Sequence, residues 1–235
     1  MTVSTPNLKL GRQLFAIAAI ASGIVTLAPH HSPYGPILLY AAGVAQIFGG
    51  AAMLLRRSAK IGAVVLGAVY LIFSLLLVPP IVAKPLVFDP WGDFFEEFTL
   101  VVGAAIVYAL SSGFARKTVR RIGRILFGIC VISFAVYQAV HLDYTASLVP
   151  TWVPPSQMFW SVATTVAFGL EAVALLTNRW ALLATRLTTL MLVIFGLLVW
   201  LPRLLSDPSK HSNWSETVLT FGIAATSWII ADLLD

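Results

Sequence analysis

The sequence predicts an all-α membrane protein: eight transmembrane helices forming two parallel four-helix repeats about a pseudo-twofold axis along the membrane normal. Three observations lead there. The 235 residues are 59% hydrophobic and only 11% charged, against about 25% charged in ordinary soluble domains, so too little polar surface exists to face water all round. Apolar runs recur at the roughly 17–25 residues needed to cross a ~30 Å hydrocarbon core. The pattern of runs also occurs twice. Gly11-Arg12-x-Leu14-Phe15-x-Ile17 returns as Gly123-Arg124-x-Leu126-Phe127-x-Ile129, and Ile72-Phe73-x-Leu75-Leu76 as Ile194-Phe195-x-Leu197-Leu198, with Pro80 and Pro202 behind. Glu97-x-x-Leu100-x-x-Gly103-x-Ala105 returns as Glu216-x-x-Leu219-x-x-Gly222-x-Ala224, the three matches being offset by 112, 122 and 119 residues in the same order. Ordered self-similarity of this kind marks a duplicated unit.

The spans are expected near 12–28, 37–55, 61–79, 96–112, 123–141, 158–177, 180–201 and 214–232. None shows the period-2 alternation of a barrel strand, so each closes its backbone hydrogen bonds within itself as a helix. The first follows Lys9 and Arg12 in the manner of a signal sequence, but its counterpart at Gly123–His141 lies mid-chain, and a retained helix is expected. The second is crowded with small residues (Ala41, Ala42, Gly43, Ala45, Gly49, Gly50), which permit close helix packing. Pro79-Pro80 and Pro154-Pro155 fall where spans end or begin and a missing N–H is harmless. The units implied are 1–110, a basic linker at 111–122, and 123–235.

Charge sets the expected orientation. Twelve of the fifteen Lys and Arg residues fall in alternate loops on one side, leaving only Lys84, Arg203 and Lys210 on the other. By the positive-inside rule both termini are cytoplasmic, in a cytoplasmic (inner) membrane. Most acids, Asp89, Asp93, Glu96, Glu97, Asp143, Asp207 and Glu216, fall outside. The basic run in 111–124 suits anionic lipid headgroups, or else a cytoplasmic partner. A polar surface with basic and aromatic residues interleaved is missing, which excludes nucleic-acid binding. The lone cysteine, Cys130, excludes dithiol chemistry by this chain.

The four histidines, His30, His31, His141 and His211, all lie at or near the outer face. Ser133, Tyr137 and His141 share one face of the fifth helix with Gln138 alongside, and Ser22, Thr26 and His30 repeat the spacing in the first. Two polar stripes climbing to outer histidines suit paired cavities open to the outside, where imidazole beside carboxylate fits a metal, a haem edge or a proton-handling quinone site. Metal-ligand spacings such as H-x-x-x-H do not occur, so no metal is expected; interfacial histidines bonded to loop carbonyls are the plainer alternative. Glu97 and Glu216 are expected in matching positions at the outer starts of the fourth and eighth helices, each either complementing a helix N-terminus or serving a proton or cation. Glu171 should lie in the inner half of the bilayer with Gln46 nearest to its place in the second helix. A buried carboxylate needs a partner or a proton, and Arg179 and Arg186 are the expected partners. Trp91, Trp152, Trp200 and Trp214 read as one interfacial belt, Trp180 and Trp228 as the other.

The stretch His141 … Val149-Pro150-x-Trp152-x-Pro154 … Phe159-Trp160 resembles the DoxX-like integral membrane protein family, whose unit is a four-helix bundle. The likeness is closest over 123–201. Gly43-Val-Ala-Gln46-Ile-Phe-Gly49-Gly50 is similar to a further family pattern, which usually has an acid where Gln46 stands. The resemblance implies a fused double unit and an association with quinone-linked oxidoreductases or maturation factors. The function expected is therefore a membrane subunit or accessory protein of a quinone-linked redox system, with quinone as ligand and electrons supplied by a partner redox protein. Its small-molecule pocket would open to the outer face, lined by His141, Tyr137, Gln138, Trp152, Glu171, Gln46, His30 and Glu216. The alternatives are a noncatalytic scaffold or maturation factor for a partner enzyme, and a transporter of a small or lipophilic solute.

Overall fold

A computed structural model describes residues 9–30 and 34–235; His31 lies outside them. The helices are α1 (Lys9–Leu27), α2 (Pro36–Leu54), α3 (Ala59–Leu76), α4 (Val78–Ala83), α5 (Asp89–Ser111), α6 (Arg116–Val140), α7 (Leu142–Leu148), α8 (Gln157–Thr177), α9 (Ala181–Phe195), α10 (Leu201–Ser206) and α11 (His211–Leu234), with a π-helical segment, Gly196–Trp200, joining α9 to α10. Among the described residues eight helical stretches are long and apolar enough to cross a membrane. Their outward faces present Ile37, Phe48, Leu75, Leu170 and Leu187, as lipid contact requires. The short helices α4, α7 and α10 lie with His30, His141 and His211 on what is here termed the histidine face; the interhelical turns rich in arginine and lysine form the basic face.

Element boundaries follow local chemistry. Ser156 caps α8 by accepting from the Phe159 N–H, and Asn178 ends it in the left-handed conformation at φ 58°. Pro90 occupies the first turn of α5, where it lacks only an N–H that would be unpaired anyway. That helix therefore begins at Asp89 rather than near 96, and carries Asp93 and Glu96 on its first turns. The expected linker at 111–122 shrinks to a four-residue turn, because α6 starts at Arg116; its Nη2 donates to the Asp232 and Leu233 carbonyls at the end of α11. The seventh span is helical from Ala181 to Ser206 but passes through the π turn. There a Cβ on Gly196 would lie 2.6 Å from the Phe221 ring, so the glycine lets α11 approach the bulge.

Two quartets emerge from the packing. In the first, α1 packs on α2, α2 on α3 and α3 on α5; in the second, α6 packs on α8, α8 on α9 and α9 on α11. Between them α1 meets α11, α6 meets α5, and α5 crosses α11. Exchanging the quartets maps each of these pairings onto another of them, and the α5–α11 crossing onto itself. The centre is α11, whose span is 67% buried against 28–39% for the others. The main cluster joins both quartets through Phe15, Leu66, Leu100, Phe127, Val131, Ile229 and Ile230.

Close contacts fix the register between quartets. A Cβ on Gly11 would lie 3.1 Å from Ile229, and one on Gly123 would lie 2.9 Å from Ile106. Gly11 and Gly123 stand 112 residues apart, but Ile106 and Ile229 stand 123 apart. The indole of Trp91 donates to the Pro85 carbonyl, and that of Trp214 to Pro208, again 123 apart. Packing thus matches α5 to α11 one helical turn away from the 119-residue motif match. At this 123-residue spacing Glu216 stands opposite Asp93 and Thr220 opposite Glu97.

Candidate functional site

A cavity of about 330 Å³ lies in the second quartet toward the histidine face, and no residue of α1–α4 lines it. Its walls are Phe134, Tyr137 and Gln138 from α6, Trp160, Thr164 and Phe168 from α8, Leu192 and Phe195 from α9, and Leu198, Val199 and Trp200 from the π turn. The first turns of α5 supply Gly92, Asp93 and Glu96; α11 supplies Glu216, Thr220 and Ile223. The body is apolar and aromatic; carboxyl and amide groups gather at the seam where α5, α6 and α11 meet, and Thr145, Ser161 and Thr164 add hydroxyls on the α7–α8 side. This division, an apolar slot with a few converging polar groups, is the general form of small-molecule sites.

The roof is held by hydrogen bonds from α7 and the following loop to the start of α8. Thr145 Oγ1 and Ser161 Oγ are 2.6 Å apart, Ser161 donates to the Leu142 carbonyl, Gln157 to Val149, and the Trp160 indole to Pro154 at 2.8 Å. Val149, Pro150 and Val153 of this loop line the cavity from above.

Of the predicted residues, Tyr137, Gln138 and Glu216 line the cavity. Gln138 accepts from Thr164 at 3.0 Å and Thr165 at 3.2 Å through its carbonyl oxygen, so its amide N–H groups are what it has left to offer. Tyr137 packs closely on α5 because residue 92 is glycine: a Cβ there would come within 2.6 Å of its ring. His141 stands behind the wall. Its ring lies 4.7 Å from Tyr137, and its Nε2 lies 2.8 Å from Asp89 Oδ1, so it clamps the end of α6 to the start of α5. Trp152 is 70% exposed and lines nothing; the loop's span points it away, and Trp160 takes the place expected of it. His30 stacks on His211 at 3.6 Å, its Nδ1 facing the Ala28 carbonyl, while His211 Nε2 faces the Val25 carbonyl. These two rings close the α1–α11 seam, the counterpart of the seam His141 closes.

Gln46 is buried in the first quartet, accepting from Thr26 and donating to Ser22; its hydrogen bonds are spent on joining α1 to α2. Glu171 is only 1% exposed, on α8 one turn below the cavity residue Phe168. Neither of its carboxyl oxygens has a hydrogen-bond partner among the described residues. The expected pairing with Arg186 is not made, because Arg186 Nη2 sits 3.3 Å from the Asp235 carboxylate; Arg179 makes no ion pair among the described residues either.

Sequence reasoning missed Asp93 and Glu96 as site residues. With Glu216 they line the cavity where α5 meets α11, and Glu97 follows Glu96 on the same turn of α5. Tyr34, at the entrance to α2, lies beside the same group: burial, then Glu97 and Asp93, push its phenol up from the ordinary value. Pro90 directly after Asp89 was the available signal, since it marks a helix start seven residues ahead of the predicted one.

Fold and cavity together define a multi-pass α-helical membrane protein with a ligand-sized chamber in one of its two helical quartets. No family model, no curated protein and no solved structure matches the chain.

Proposed function

We propose that this protein is a DoxX-like membrane subunit or accessory protein of a quinone-linked redox system, holding an amphipathic small molecule of the quinone type in the second quartet. The observation that carries the reading is the cavity itself. Phe134, Phe168 and Phe195 offer an apolar slot for an aromatic ring, Tyr137 and Gln138 offer donors for carbonyl oxygens, and Glu96 and Glu216 accept hydroxyl protons. A quinone bound there supplies two-electron, two-proton chemistry, which no side chain of this sequence supplies alone. The chain's own residues bind the ring, orient it, exclude water beneath the α7 roof and hold protons at the carboxyl rim. Electrons come from a partner redox protein.

The parallel duplication belongs to the same proposal. The exchangeable helix pairings and the paired Gly11–Ile229 and Gly123–Ile106 contacts support two like-facing units about an axis at the α5–α11 crossing. The excess of Lys and Arg on the basic face supports cytoplasmic termini, and puts anionic lipid headgroups at that surface.

A photoreactive quinone analogue added to the protein in nanodiscs tests the ligand. Crosslinks are expected on peptides carrying Tyr137, Trp160 or Glu216, competed away by excess unlabelled quinone. Label confined to lipid-facing residues, or uncompeted, removes the quinone reading and leaves the scaffold alternative to be pursued.

A further inference from the structure

The cavity has walls of two kinds. Phe168, Leu192 and Ile223 line it and are buried, so facing the cavity by itself leaves a side chain almost no accessible surface. Ile194 and Leu198 line it too, yet they are 43% and 36% exposed, and Trp160 of α8 is 38% exposed. The rest of their surface therefore faces outside the bundle. Ile194 stands thirteen residues from Ala181 and twelve from Ser206, the ends of its span, which puts it at mid-membrane depth. Around these three, Val162, Val166, Leu190 and Leu197 continue an exposed apolar surface. At that depth such a surface meets hydrocarbon, not water.

The polar groups that could hold a ligand sit across the bundle. Within the second quartet α6 packs on α8, α8 on α9, α9 on α11 and α11 back on α6, so the α8–α9 edge is opposite the α6–α11 edge. Tyr137 and Gln138 come from α6, and Glu216 from α11. A molecule with its polar head among these side chains has its remainder aimed at the α8–α9 edge. The first quartet fills the corresponding place with its own ring. At the 122-residue spacing that relates α3 to α9, Leu192 falls on Tyr70, which is buried and meets Phe15 edge-on at 6.1 Å. In the second quartet that place in the register holds a leucine, and a cavity adjoins it. At about 330 Å³ the cavity is near the lower end of the roughly 300–1,000 Å³ of small-molecule pockets. It has room for a ring head, not for a long tail as well.

We infer that the cavity is loaded sideways from the bilayer, through an opening between α8 and the π-turn end of α9 framed by Trp160, Ile194 and Leu198. Its ligand is accordingly a membrane-borne lipid of the ring-headed, long-tailed class, whose head enters while its tail stays in hydrocarbon. The inference rests on the ligand reading above and adds the route and the tail, which that reading leaves open. A tail that remains in hydrocarbon avoids exposing its methylenes to water, as entry through the polar rim at Asp93 and Glu216 would require. The Trp160 indole, held by the Pro154 carbonyl, ties one edge of the opening to the loop that roofs the cavity.

The test uses a quinone whose alkyl tail carries a photoreactive diazirine midway, added to the full-length protein in nanodiscs, with peptide mass spectrometry locating the label. Excess unlabelled tailed quinone shows which label is specific. The expected result is competed label on Ile194 or Leu198 at least fivefold above that on the roof residues Tyr144 and Val153. Competed tail label on the roof instead, or none while the head-labelled analogue is still competed from Tyr137, overturns the side entry and leaves the ligand reading standing. No competed label from either probe overturns the ligand reading, and a phosphatidylglycerol with a mid-chain diazirine then decides the opening alone. Label on Phe168 or Leu192 keeps it; label confined to outward residues such as Leu170 and Leu187 overturns it.

Discussion

The two quartets share a set of helix pairings and differ in what fills them. The first is built by close approach. A Cβ on Gly23 would lie 2.6 Å from the Gly43 carbonyl oxygen, and one on Gly50 would lie 2.7 Å from that of Ala16. Small residues thus bring α1 and α2 backbone to backbone, as membrane helices pack in the absence of a hydrophobic drive between them. Its one buried amide, Gln46, is bonded on both sides. The second quartet carries bulkier residues at the equivalent seam: Phe134 meets Phe168 edge-on at 5.6 Å. There the helices enclose a cavity, a π turn and an unpartnered carboxyl. The α1–α2 seam is closed and its buried amide satisfied, while the α6–α8–α9 side is open and polar. Strain and unsatisfied groups are concentrated where function is expected.

The largest contrast should come from glycine. Gly23→Val forces α1 off α2, and a loss of about 3 kcal/mol or more, enough to abolish a cooperative melt in detergent, is expected from overpacking at a backbone contact. Gly169→Ala in α8, where a Cβ meets nothing within 4 Å, should raise stability by about 0.5–1 kcal/mol through helix propensity. Equal effects of the two would erase the distinction between a closed and an open quartet.

Buried polar groups should come next. Gln46→Leu leaves the Ser22 and Thr26 hydroxyls without their partner on α2 and is expected to cost about 1–3 kcal/mol. Glu171→Leu removes an unpartnered group and should be neutral or stabilising, measured by thermal unfolding of the two variants side by side. A larger penalty for Glu171→Leu than for Gln46→Leu would mean that the carboxyl has a partner in the membrane.

The rim should give the smallest change. His141→Ala breaks a partly exposed ion pair with Asp89 and is expected to cost at most about 1 kcal/mol. Because Tyr137 leans on that ring, the same variant should weaken quinone-analogue binding by a few-fold. His211→Ala, which opens the other seam at His30, should leave ligand binding unchanged. A reversed order would place the site in the first quartet.

Much of this was legible in the sequence, for identifiable reasons. Spans follow from hydropathy because lipid admits no other solvent-facing pattern, and all eight expected runs coincide with helices. Tyr137, Gln138 and Glu216 were readable because helical spacing and the scarcity of polar residues single them out. The register of α5 against α11 was not, since Glu-x-x-Leu-x-x-Gly-x-Ala recurs locally one turn away from the packing match, which shows only in the Gly11 and Gly123 contacts and in the paired Trp91 and Trp214 hydrogen bonds. The neighbours of Glu171 were illegible for a similar reason: proximity in sequence pointed to Arg179 and Arg186, while the chain's last residue, Asp235, takes Arg186. Trp152 carried the resemblance motif, yet motif membership does not fix which way an indole faces.

An experimental density map of the protein in lipid nanodiscs, prepared with a quinone added, bears most directly on the contrast between halves. Non-protein density enclosed by Tyr137, Phe168 and Glu216, with a dry, close-packed α1–α2 seam opposite, is the expected picture. A collapsed second-quartet chamber, or ligand density between α1 and α2, would contradict it.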